Sequence, residues 1–79
     1  MKKTDQFQAY VNGLLKDRLH KLDITELEKT GIKIYIYAIF ERNYDLEKIY
    51  YEILDYLEEN ENLTPILDQV EMFYQTSLK

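Results

Sequence analysis

The scarcity of residues that interrupt regular structure most constrains the fold of this chain. Its 79 residues include only two glycines and one proline, so few positions force a turn. The remaining polar clusters divide the chain into four segments of helical length. Nearly half of the residues are apolar, 46%, which is typical of a folded chain and not of a disordered tail. The sequence therefore predicts one helical domain over residues 1–79, a small antiparallel four-helix bundle.

The first predicted helix runs from about Asp5 to Leu22, with Thr4 as its cap. Asn12 and Gly13 lie inside it, but the apolar stripe keeps its phase across this pair, which predicts a weakened helix without a break. The stripe has three- and four-residue spacing and consists of Phe7, Tyr10, Val11, Leu14, Leu15, Leu19 and Leu22.

The second predicted helix begins after Asp23, which forms a capping-box pattern with Glu26. Leu22 and Leu27 are spaced as a hydrophobic staple. The helix continues to about Arg42, and its predicted inward face is Leu27, Gly31, Ile34 and Ala38. An alternative is open for residues 32–40, which are rich in β-branched and aromatic residues and in which isoleucines alternate with lysine and tyrosine as on a strand. No other segment resembles a partner strand, so this α+β alternative requires pairing across a dimer.

The third and fourth helices have clearer patterns. Asp45 is the predicted cap of the third, with Tyr44 and Ile49 as a staple, and its stripe is Leu46, Ile49, Tyr50, Ile53, Leu54 and Leu57. After a polar loop, Thr64 is the predicted cap of the fourth helix and Pro65 its first residue. This helix directs Ile66, Leu67, Val70, Phe73 and Tyr74 inward and is expected to fray over residues 76–79.

Charge is divided unevenly between the two halves of the chain. Residues 1–40 carry seven Lys/Arg against five Asp/Glu, whereas residues 41–79 carry three against ten. Six of the eight tyrosines lie between Tyr35 and Tyr56. An acidic surface rich in aromatic residues indicates binding to a protein with a basic or partly apolar surface. The predicted partner-binding residues are Tyr37, Glu47, Tyr51, Glu52, Asp55, Tyr56, Glu58 and Glu59.

The sequence carries no pattern of a catalytic or cofactor site. His20 is the only histidine and has no nucleophile beside it. The absence of cysteine excludes thiolate chemistry, and there is no glycine-rich phosphate loop or calcium-loop motif. We therefore expect no enzyme activity, cofactor or metal. A net charge of −5 disfavours direct nucleic-acid binding. The N-terminus lacks the apolar core of a signal peptide, and no apolar run spans a bilayer, so we expect a cytoplasmic protein without membrane insertion.

Two stretches of the second half carry a resemblance. They are Asn43-Tyr44-Asp45-Leu46-Glu47-Lys48-Ile49 through Ile53-Leu54-Asp55-Tyr56-Leu57, and Asn62-Leu63-Thr64-Pro65 before a short last helix. This order resembles the enterocin A type immunity proteins of class IIa bacteriocins. The resemblance implies a cytoplasmic four-helix bundle that protects its producer by recognising the bacteriocin-occupied sugar transporter. It also implies discrimination in the C-terminal half, residues 45–79.

Two other functions fit the same pattern. One is a small acidic inhibitor of the phage or plasmid type, which blocks a host protein by presenting carboxylates in place of nucleic-acid phosphates. The other is an adaptor or subunit whose exposed tyrosines close a homodimer. All three functions are forms of protein binding without catalysis.

Overall fold

The computed structural model describes residues 2–78 and consists of four α-helices. They are α1, Lys3–Arg18, α2, Glu26–Arg42, α3, Leu46–Glu58, and α4, Thr64–Phe73. A 3₁₀ turn follows α1 at Leu19–Lys21, another precedes α4 at Glu61–Leu63, and a π-helical turn, Tyr74–Leu78, ends the described chain. None of residues 2–78 is in a strand. The all-α bundle is confirmed, and residues 32–40 lie within α2.

The helices surround a single core. α3 packs on both α2 and α4, while α1 packs on α4 and on the turn at 74–78. Phe7 lies at the centre, with ring centroids 5.7 Å from Phe40 and 6.2 Å from both Tyr50 and Tyr74. Tyr50 and Tyr74 stack 3.7 Å apart. Aromatic pairs of this kind contribute about 0.5–1.5 kcal/mol each beyond the area that they bury, so this cluster ties α1, α2 and α3 to the π-helical turn that follows α4.

The first and last helices differ from the sequence prediction at their ends. Thr4 is not the cap of α1: the helix begins at Lys3, preceded by Lys2, which makes no capping side-chain hydrogen bond. The Asn12-Gly13 pair lies inside continuous helix, as predicted. Thr64 is the first residue of α4, and its hydroxyl donates to the Glu61 carbonyl at 2.9 Å.

The predicted fraying over residues 76–79 stays a prediction: residues 74–78 form a π-helical turn after α4, and Lys79 lies outside the described residues. Leu78 is buried, and the Lys3 Nζ donates to its carbonyl at 3.1 Å. This long-range contact holds the chain end against α1, since burial of an apolar side chain outweighs the tendency of a terminus to unwind.

The start of α2 is shifted by two residues. Its cap is Thr25, not Asp23: the Thr25 hydroxyl accepts from the Glu28 N–H at 3.1 Å, and Glu28 closes the capping box. The predicted staple is absent, because Leu27 is 82% exposed. Leu22 and Ile24 instead pack on the core, and residues 22–24 form a bend that precedes Thr25.

The inward face of α2 is also different from the prediction. Leu27, Gly31 and Ile34 are exposed and Ala38 is half-buried, whereas the buried residues are Ile32, Ile36, Ile39 and Phe40. The observed face buries four large apolar side chains, whereas two of the four residues named for the predicted face are Gly31 and Ala38, which have little side chain to bury. Burying a large apolar side chain is worth about 1.5–3 kcal/mol, which favours the observed orientation.

The prediction for α3 is confirmed in most respects. Asp45 caps it by accepting from the Glu47 N–H at 3.2 Å. The predicted staple is wrong, since Tyr44 is 95% exposed. Of the predicted stripe, Leu46 is half-buried and the other five residues are buried. The inward residues of α4 are likewise buried or packed on the core.

Candidate partner-binding surfaces

An acidic surface runs along the outer side of α3. Glu47, Tyr51 and Asp55 are spaced four residues apart, which places them above one another on one helical face. Together with neighbours they line a shallow depression of about 420 Å³ formed by Asp45, Glu47, Lys48, Tyr51, Glu52 and Asp55. We call these six residues the acidic α3 surface. It contains four of the eight predicted partner-binding residues, Glu47, Tyr51, Glu52 and Asp55.

Two of the four carboxylates of this surface, Glu47 and Asp55, neither form an ion pair with residues 2–78 nor cap a helix. Within residues 2–78, Glu52 is its only carboxylate in an ion pair, with the Arg42 guanidinium at 2.8 Å. The hydrogen bond with Glu52 raises the pKa of Arg42. Tyr51 is 55% exposed in the middle of the surface. An exposed ring flanked by carboxylates offers both contact area and charge to a basic protein surface.

The other four predicted residues lie elsewhere. Tyr56 is half-buried and stacks on Tyr35 with centroids 4.0 Å apart, and burial raises the pKa of its hydroxyl. Glu58 and Glu59 are exposed at the C-terminal end of α3, beyond the depression. The structure therefore does not unite the predicted tyrosines in one patch, because Tyr56 is used to pack α3 on α2.

Tyr37 lies on a second surface, a groove between α1 and α2. This groove has a volume of about 580 Å³ and is lined by Asn12, Leu15, Lys16, Lys33, Ile34 and Tyr37. We call it the α1–α2 groove. Leu15 forms its buried floor, while Ile34 and Tyr37 remain 63% and 56% exposed. A hydrogen bond with Glu41 raises the pKa of Tyr37.

Sequence reasoning missed the α1–α2 groove, because it assigned Ile34 to the core. One signal was present: α2 carries apolar residues on more sides than a surface helix needs. Four of the seven large exposed apolar side chains of the described chain are on α2, namely Leu27, Ile34, Tyr35 and Tyr37.

Other kinds of site find no support in the described part of the chain. Residues 2–78 contain no group of three or more His, Asp or Glu side chains placed to hold a metal ion. His20 is exposed, and its Nδ1 lies 3.2 Å from the Lys16 carbonyl. Among residues 2–78 there is no helix with the length and apolar character needed to cross a membrane.

The fold and the two surfaces define an all-α bundle with polar and apolar side chains available for binding. No protein-family model matches the chain, and no curated protein or solved structure matches it significantly. The resemblance to bacteriocin immunity proteins therefore stays a prediction from the sequence.

Proposed function

We propose that this chain is a non-enzymatic, cytoplasmic protein-binding module whose acidic α3 surface contacts a basic partner. The observation that carries this proposal is the row of Glu47, Tyr51 and Asp55 on one exposed helical face, with neither carboxylate in an ion pair among residues 2–78. Carboxylates without an ion partner in their own chain can pair with positive groups of another protein, and their field steers a positively charged partner into contact.

The test uses a double charge reversal, Glu47→Lys with Asp55→Lys. Its matched control is Asp17→Lys with Asp68→Lys, which changes the net charge equally at exposed positions of α1 and α4. Tagged wild-type and variant proteins are used to capture partners from a low-GC Gram-positive lysate, and bound proteins are identified by mass spectrometry. We expect a basic protein that the control retains, and that the reversal and high salt both release. Equal capture by the reversal and the control contradicts the proposal.

The more specific function to test first is producer protection, which the resemblance implies. Expression in a strain sensitive to class IIa bacteriocins is expected to raise resistance, and sugar-transporter subunits are expected to bind only when bacteriocin is present. Unchanged sensitivity to several such bacteriocins would rule out producer protection, and the more general proposal of protein binding would still stand.

A second candidate is inhibition of a host nucleic-acid-binding protein. It is favoured by the spacing of carboxylates along α3, which extends from Glu47 past Asp55 to Glu58 on exposed positions. In this case the captured protein binds nucleic acid, and added duplex DNA competes with the wild-type chain for it. Failure of DNA to compete would exclude this mechanism.

A further inference from the structure

The α1–α2 groove combines an apolar floor with unpaired positive charge. Leu15 is 3% exposed at the floor, and Ile34 and Tyr37 form the wall on α2. Lys16 and Lys33 line the same groove, and neither forms an ion pair with any of residues 2–78. The apolar face continues along α2 to Leu27, which lies two turns from Ile34 and is 82% exposed.

The fold explains why this face is uncovered. α3 is the helix that packs most closely on α2, and the side of α2 opposite its buried isoleucines faces away from the core. From Leu27 to Tyr37 the exposed face extends for about 15 Å at 1.5 Å per residue. That length corresponds to about three turns of a helix laid along the groove.

We propose that the α1–α2 groove binds an acidic amphipathic helix of a partner protein. Apolar residues of that helix, at three- and four-residue spacing, contact Leu15, Ile34 and Tyr37. Carboxylates on its flank pair with Lys16 and Lys33, which are the positive groups that line the groove. Glu41, an exposed carboxylate one helical turn after Tyr37, repels acidic residues from that end and gives the bound helix one orientation.

The same features disfavour two other ligands for the groove, a small amphipathic anion and a second copy of the chain. A small amphipathic anion would leave one side in water, because the wall residues Ile34 and Tyr37 are themselves more than half exposed, whereas small-ligand sites enclose most of their ligand. A second copy of the chain, docked groove to groove, would bring Lys16 and Lys33 near their own counterparts.

The probe is a fluorescein-labelled peptide of about 18 residues, built from Glu, Ala and Leu with leucines along one face. Two control peptides have the same leucine face with Lys for Glu, and the same composition in scrambled order. We expect the acidic amphipathic peptide to bind at least about tenfold more tightly than either control, as measured by fluorescence anisotropy. In an NMR titration of the ¹⁵N-labelled protein, we expect the largest shifts at Leu15, Lys33, Ile34 and Tyr37.

The protein variant is Lys16→Glu with Lys33→Glu, and its matched control is Lys2→Glu with Lys21→Glu, which are exposed positions outside both the groove and the acidic α3 surface. We expect the groove variant to lose about tenfold or more in affinity, and the control to lose less than about threefold. Equal affinity for acidic and basic peptides, shifts confined to the acidic α3 surface, or no binding at millimolar peptide would each overturn the proposal.

Two further measurements identify the alternatives. If dodecanoate binds with the same NMR shifts and the peptide does not bind, the ligand of the groove is a small anion and not a helix. If the protein dimerises with rising concentration and Ile34→Ser abolishes the dimer, the groove binds a second copy of the chain and not a partner helix. The α1–α2 groove shares no residue with the acidic α3 surface. If the peptide does not bind the groove, the lysate experiment with the Glu47→Lys, Asp55→Lys variant still tests the proposed function independently.

Discussion

The orientation of α2 can be tested by truncating two isoleucines that are two positions apart. Ile36 is 1% exposed, whereas Ile34 is 63% exposed. Ile36→Ala removes a buried side chain and is expected to cost about 2–5 kcal/mol. Ile34→Ala loses about 0.5–1 kcal/mol of apolar burial, and the higher helix propensity of alanine offsets about half of this loss. A 79-residue chain has a free energy of unfolding of about 4–12 kcal/mol, so the Ile36 variant loses a large share of it.

The assay is thermal and urea unfolding followed by the circular dichroism of the helices, at two protein concentrations. We expect Ile36→Ala to lower Tm by at least about 10 °C and Ile34→Ala to lower it by less than about 4 °C. Equal destabilisation at both concentrations would show that α2 presents Ile34 to the core and would refute the burial argument. Destabilisation by Ile34→Ala at high concentration alone would indicate a dimer interface.

Three further predictions concern caps, helix propensity and pH. Thr25→Ala is expected to cost about 1 kcal/mol of unfolding free energy because it removes the capping box, whereas Asp23→Ala is expected to cost almost nothing. A larger loss for Asp23→Ala would show that Asp23 is the cap, as the sequence predicted. Gly13→Ala is expected to stabilise by about 0.5–1 kcal/mol, since an added Cβ meets no atom within 4 Å; a loss of stability would mean that α1 is not continuous there. Burial raises the pKa of Tyr50 and Tyr74 above 10.0, so their contribution to stability is complete below that pH and declines as pH rises through the folded-state pKa. The urea midpoint is therefore expected to fall as the pH rises above 10.0, less steeply in Tyr50→Phe, and a midpoint independent of pH would contradict this.

The capping residue of a helix was predicted correctly where the sequence contained only one capping pattern. Asp45 had no competitor before a strongly periodic helix, and it caps α3 as predicted. Before α2, two capping patterns overlapped, Asp23 with Glu26 and Thr25 with Glu28. Packing of Leu22 and Ile24 on the core decided between them, and sequence spacing carries no information about that contact.

The candidate site was predicted only in part. The carboxylates of α3 were predicted to be outward from their own helical periodicity, and the structure places Glu47, Glu52 and Asp55 on one surface. The sequence did not distinguish buried from exposed tyrosines, because a tyrosine suits both a core edge and an exposed surface. Tyr56 packs on Tyr35, and Tyr37 faces the α1–α2 groove.

The sequence by itself predicted four segments of helical length and left only residues 32–40 open between helix and strand, because few breakers, three- and four-residue apolar spacing and capping residues are properties of single segments. It also determined an acidic second half and an outer face of α3 rich in carboxylates. Only the tertiary structure decided which side of α2 is buried, because α2 has two apolar faces and the choice depends on how much side-chain volume each brings to the shared core. That choice leaves Leu27 and Ile34 exposed and creates the α1–α2 groove.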